Sequence, residues 1–189
     1  FNSDGSPFIS SPPVITSSLS AIGQINVPFE YTIIATNDPT QFNVAPLPSG
    51  LYLDFNNGIA KILGTPVESG VFSVSLTALN SGGSDVETLI IDISKTDQVI
   101  QFDNPGAKLL GSLPIVPVAS SSSNLDITFE VVSGPATILE GDIYITGLGD
   151  IEIKATQLGN SNFEPADPVT ILFTSVMAPE LPVIETFPS

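Results

Sequence analysis

The sequence predicts an all-β protein built as two tandem β-sandwiches, and three observations lead there. The 189 residues include 15 glycines and 17 prolines, spread along the chain rather than clustered, so long helices have no room. Between these breaks apolar residues recur at every second position, the spacing of a strand with one buried face. The strand segments are rich in Val, Ile, Thr and Phe, which suit a pleated surface. Short strands at intervals of about 8–12 residues, separated by turns, indicate a sandwich or barrel.

The elements follow in order. Phe29, Tyr31, Ile33 and Ala35 share one face of a first strand. Residues 51–55 and 59–63 flank Asn56-Asn57-Gly58, and an Asn-Gly pair supplies the positive φ angles of a tight hairpin. Phe72, Val74, Leu76 and Ala78 alternate with Ser73, Ser75 and Thr77; Leu89, Ile91 and Ile93 alternate with Ile90 and Asp92. Further stripes are Ile127, Phe129 and Val131, then Ile151, Ile153 and Ala155. Gly64-Thr65-Pro66, Ser81-Gly82-Gly83 and Ser133-Gly134-Pro135 mark connections. A new alternating start at Gln98-Val99-Ile100-Gln101-Phe102, just after Lys95-Thr96, places a domain boundary there. The expected units are residues 9–95 and 96–176, with 177–189 a linker or the start of a further repeat. A junction this short and without glycine predicts a stiff tandem.

Charge and composition remove most chemistry. Against 20 acidic residues stand four lysines and no arginine, for a net charge of −16, so nucleic acid is excluded as a partner. His, Cys and Trp are absent, which removes the commonest general base, thiol nucleophiles and disulfides. A hydrophobic share of 42% with 11 Phe supports packed cores rather than an acidic coil. No apolar run approaches the roughly 18 residues of a span, so no membrane insertion of this segment is expected.

The remaining candidates are carboxylates, lysines and tyrosines. Paired-acid hydrolysis is considered first, but Asp92, Glu130 and Glu152 fall at solvent-facing strand positions and Asp54 and Asp142 in turns. They read as solubilising charges and turn formers; a Ser-Lys pair around outward-facing Lys154 is set aside for the same reason. Calcium is the alternative chemistry, since oxygen ligands suit a hard cation. Its candidates are Asn37-Asp38, Asp54 with Asn56 and Asn57, and above all Asp97, Asp103 and Asn104 at the domain junction. Tyr52 and Tyr144 are expected in core or edge packing rather than as a glycan platform. Lys61 and Lys108, the lysines considered for a cross-link to asparagine, are expected to be free and exposed. Asp92 and the lysines are expected to guard edges against strand pairing.

The residues also carry a resemblance. Pro12-Pro13-Val14-Ile15-Thr16-Ser17, Gly23, residues 29–37, Leu47-Pro48-Ser49-Gly50-Leu51, Gly64-Thr65-Pro66 and residues 70–80 together resemble the bacterial putative Ig domain with a cadherin-like sandwich. The second unit is similar to another bacterial Ig-like repeat of exported surface proteins. Its match runs through Gln98-Val99-Ile100-Gln101-Phe102, residues 127–136, residues 155–160 and Asn162-Phe163-Glu164-Pro165-Ala166. The stretch 108–124 departs from that repeat. Leu181-Pro182-Val183-Ile184-Glu185-Thr186 echoes residues 12–17, as a further unit of the first kind would.

The resemblance implies tandem Ig-like modules of a larger secreted or cell-surface bacterial protein, with no catalytic residue to carry over. The expected role is a non-catalytic spacer whose partners are neighbouring domains of the same longer chain. The alternatives are an adhesion module for a surface protein or glycan, calcium-assisted or not, and an accessory segment of a large polysaccharide-degrading enzyme.

Overall fold

Strands alone make up the regular structure of residues 10–179, the portion that the computed structural model describes. The chain divides into two compact units, with the division between Thr96 and Asp97. The echo at residues 181–186 lies outside the described residues.

The first unit contains β1 (Val14–Ile15), β2 (Ser20–Gln24), β3 (Phe29–Ile33), β4 (Ala35–Thr36), β5 (Gln41–Ala45), β6 (Leu51–Asn56), β7 (Ile59–Gly64), β8 (Gly70–Asn80) and β9 (Gly83–Ser94). A four-stranded sheet ordered β2-β9-β8-β5 and a three-stranded sheet ordered β3-β7-β6 enclose one core. The stripes read from the sequence supply that core: Val74, Leu76, Ala78 and Leu89 are fully buried, as are Ile91 and Ile62. Phe42 and Phe55 meet edge-on with ring centroids 5.2 Å apart, a favourable aromatic arrangement.

The β6–β7 hairpin turns through Asn57 and Gly58 at φ 51° and 79°, pairing Asn56 with Ile59. Two positive φ angles match the right-handed twist of the strands. The stripe at residues 29–35 is not one strand, however. It breaks at Ile34, which is 57% exposed and whose carbonyl accepts from the N–H groups of Thr16 and Ser17 at 2.7 and 3.2 Å. On either side of the break β3 pairs with β7 and β4 with β1. The inward face is kept while the partner changes.

Edge protection differs from expectation at Asp92 and Lys61, although Lys108 does lie on an edge strand of the second unit. Asp92 lies on β9, between β2 and β8, facing Ile22 and Val71. Lys61 lies on central β7. The edges themselves are short: β2 and β5 have five residues each, which limits the backbone left open to another strand.

The second unit contains β10 (Ile100–Phe102), β11 (Lys108–Leu109), β12 (Ala119–Ser121), β13 (Thr128–Ser133), β14 (Ala136–Leu139), β15 (Asp142–Ile145), β16 (Gly149–Thr156) and β17 (Val169–Val176). One sheet is ordered β11-β17-β16-β13. Facing it are two ribbons, β10-β12 and β14-β15, and Ile115 bridges to Ile143 of β15. Ile151, Ile153 and Ala155 are fully buried at the centre, with Phe102 and Phe129 stacked at a tilt, 5.2 Å between centroids.

Candidate functional site

The motifs that resemble the Ig family form a backbone clasp in the first unit. Leu51 N–H donates to Pro48 O at 3.1 Å, Thr65 N–H to Gly50 O at 3.2 Å, and Val67 N–H to Ser49 O at 3.1 Å. Asn26 N–H donates to Pro66 O at 2.9 Å, and Pro48 is fully buried. Gly50 (φ +91°) and Gly64 (φ +132°) face each other so closely that a Cβ on Gly50 would lie 2.1 Å from Thr65 O and one on Gly64 would lie 2.1 Å from Gly50 O. Only glycine fits both the conformation and the approach. Glu68 completes the clasp by accepting the Ser49 N–H at 2.6 Å. That backbone bond holds its carboxyl below the usual glutamate value, with the Ser49 side chain adding to it.

A second structural cluster surrounds Asn80. Its amide donates to Ser10 Oγ at 3.2 Å, Ser11 O at 2.8 Å and Asn37 O at 2.6 Å, and its Oδ1 accepts Gly82 N–H at 2.7 Å. It ties the β8–β9 turn to the segment entering β1.

The calcium candidates are placed apart. Asp97 and Asp103 are exposed at opposite ends of the β10 run. From Val99 to Asp103 the backbone is paired with residues 118–122, so the Cα atoms of those two residues are roughly 13 Å apart, and Asp97 precedes the paired run. Asn104 adjoins Asp103, but its amide donates to Leu172 O at 2.7 Å and its Oδ1 accepts Gly106 N–H at 2.9 Å. Asn37 and Asp38 form a turn at φ 60° and 49°, with the Asn37 amide on Pro12 O at 2.7 Å. Asp54 accepts from Asn56 at 2.7 Å. Among the described residues no three acidic side chains gather as a metal group would require.

Lys61 departs from expectation and the tyrosines do not. Lys61 is not free: its Nζ lies 2.5 Å from Glu30 Oε1 across β7 and β3. Lys154 pairs with Glu130 across β16 and β13. Such exposed pairs contribute about 0–1 kcal/mol. Tyr52, 57% exposed on the edge strand β6, and Tyr144, 37% exposed on the two-stranded β14–β15 ribbon, occupy the edge positions expected of them rather than the core. Tyr31 donates to Ser17 Oγ at 2.9 Å.

The feature sequence reading missed is a buried polar network in the second unit. Gln98 and Gln157 are 6% and 8% exposed. Gln98 Nε2 donates to Gln157 Oε1 at 2.6 Å and to Glu164 O at 2.7 Å, and its Oε1 accepts from Ser123. Gln157 Oε1 also accepts Gly159 N–H, and Ser121 Oγ donates to Leu125 O at 2.8 Å. The only signal was that Gln98 and Gln157 each open or close an alternating stripe on its inward side.

These observations define Ig/cadherin-like β-sandwich domains. The model of the family described as Putative Ig domain matches residues 12–94, so the first unit is an Ig-like domain with that family's pattern. Among solved structures, titin domains z1z2 in complex with telethonin share 16% identity over 91% of this chain and 99% of theirs, with a TM-score of 0.57; the likeness shows the fold. Human protocadherin-24 EC1-2 shares 16% identity over 90% of this chain and 100% of its own, at a TM-score of 0.42. A Bacteroides fragilis protein described as a putative alpha-galactosidase/melibiase shares 29% identity over 47% of this chain, at a TM-score of 0.40. The chain spans only 21% of that protein's length, and 21% of a second B. fragilis protein, described as a putative alpha-galactosidase, at 28% identity. No curated protein matches the sequence. No helix among the described residues is long and apolar enough to cross a membrane.

Proposed function

We propose that this segment is a non-catalytic structural spacer of a larger secreted or cell-surface bacterial protein, with neighbouring domains of the same chain as its partners. One observation carries the reading: the residues that carry the Ig pattern are spent on the fold. Pro48, Gly50, Gly64 and Pro66 knit two loops together, and Glu68 is the clasp's acceptor rather than a reactive acid. A spacer needs units that resist opening, and the inward stripes are sealed between two sheets in the first unit and between a sheet and two ribbons in the second.

Single-molecule stretching of the full chain tests it. The expected record has two separate unfolding events, each releasing roughly 30 nm of contour at about 3.5 Å per residue. Gradual extension without discrete events overturns the spacer reading. Saturable binding in glycan and protein screens, with or without calcium, would instead establish the adhesion reading, and turnover of a polysaccharide fragment would overturn the non-catalytic one.

A further inference from the structure

The second unit holds a cavity of about 150 Å³ that neither the core nor the spacer role explains. Its floor is apolar: Phe102, Ile143 and Ile171 are 9%, 1% and 7% exposed. Its lip is apolar as well, since Val116 and Val118 stand 69% and 66% exposed. Asp103 and Asn104 close one side.

The walls are tied down by the backbone. Asp103 N–H donates to Val118 O at 2.9 Å, and Ile115 and Ile143 exchange two bonds of 2.9 Å each. Asn104 fastens the rim loop to β17 through Leu172 O. A slot held in this way loses little freedom when it is filled.

Size and charge select the occupant. The volume suits one side chain and falls below the roughly 300–1,000 Å³ of small-molecule sites. The single acid at the rim, Asp103, has no ion-pair partner among the described residues, where the lysine pairs are those to Glu30 and Glu130. The whole chain, at −16, favours cations. An occupant with an apolar stem and a cationic head satisfies floor, lip and rim together, as long basic side chains do when their stems lie on apolar surface and their heads stay in water. We propose that this slot docks a lysine side chain presented by a basic partner protein. The stem lies against Ile143 and Ile171 between the two valines, and the ammonium meets Asp103.

The test titrates n-butylammonium, which copies that side chain, into the full chain with ¹³C-labelled Ile and Val methyls, beside n-butanol and butanoate. Saturable shifts are expected at Val118, Ile143 and Ile171, with butylammonium binding roughly three- to fivefold more tightly than butanol and butanoate most weakly. Asp103→Asn, at an exposed carboxylate that holds no bond of the fold, erases the preference, and Asp92→Asn in the first unit leaves it intact. The proposal is overturned by shifts that do not saturate, by butanol binding as tightly as butylammonium, or by a preference that survives Asp103→Asn.

Discussion

Gln98 Nε2 donates to Gln157 Oε1 at 2.6 Å, and both side chains are buried. Buried amides are expensive unless every polar atom is met, and here Ser123, Glu164 O, Gly159 N–H and Asp126 O meet the rest. The pair therefore fastens the start of the β10 run to the loops at 121–126 and 157–166.

Replacing one partner strands the others. Gln98→Leu removes the donor to both Gln157 Oε1 and Glu164 O, at about 1–3 kcal/mol for each group left short, while Ser123 Oγ still has Ser121 Oγ within reach at 3.1 Å. The expected result in calorimetry is a second-unit transition destabilised by roughly 3 kcal/mol, with the first-unit transition unmoved. The double variant Gln98→Leu/Gln157→Leu costs less than the sum of the singles, since each removes the same bond.

Ser175 gives the opposite sign. Its Oγ is buried and has no hydrogen-bond partner among the described residues, and it faces the core from β17 beside Phe173. Deleting an unpaired buried hydroxyl relieves its desolvation. Ser175→Ala is expected to raise the stability of the second unit by about 1 kcal/mol, read as a midpoint shift of roughly 4 °C or more.

How much of this was legible in the sequence depended on range. The hairpin at Asn57-Gly58 and the stripes at residues 74–78 and 89–93 follow from neighbours in the chain, and the structure bears them out. Which strands become central does not follow from local pattern. Asp92 looked like an edge guard because the parallel pairing of β9 with β2 joins segments about 70 residues apart. The partner switch at Ile34 was hidden because it leaves the inward alternation undisturbed. Gln98 and Gln157 were overlooked because an amide reads as surface until its partners are known.

Glu68 makes the clasp dependent on pH. Its folded-state pKa lies below the ordinary 4.5, so the carboxylate's contribution is fully present above that ordinary value and is lost as pH falls through the lower folded value. Glu68→Gln, which copies the protonated form, is expected to lower the first-unit midpoint at pH 7. The gap to the parent closes as the pH falls through the lowered folded-state value. A gap that stayed constant with pH would mean that packing rather than charge holds Ser49.

Calcium should leave the second unit unmoved. One ion needs several oxygens at roughly 2.3–2.6 Å, whereas among the described residues no three acidic side chains gather around Asp103 or anywhere else. The neighbouring Asn104 oxygen already accepts Gly106 N–H at 2.9 Å. A lone exposed carboxylate binds the ion too weakly to shift the folding equilibrium at millimolar concentration. Thermal melts in about 5 mM calcium chloride and in chelator are therefore expected to agree within about 1 °C, where a site with a 50 µM dissociation constant would add about 2.7 kcal/mol. A rise of several degrees that Asp103→Asn abolishes would show that the loop at 103–106 rearranges to build a site around the ion.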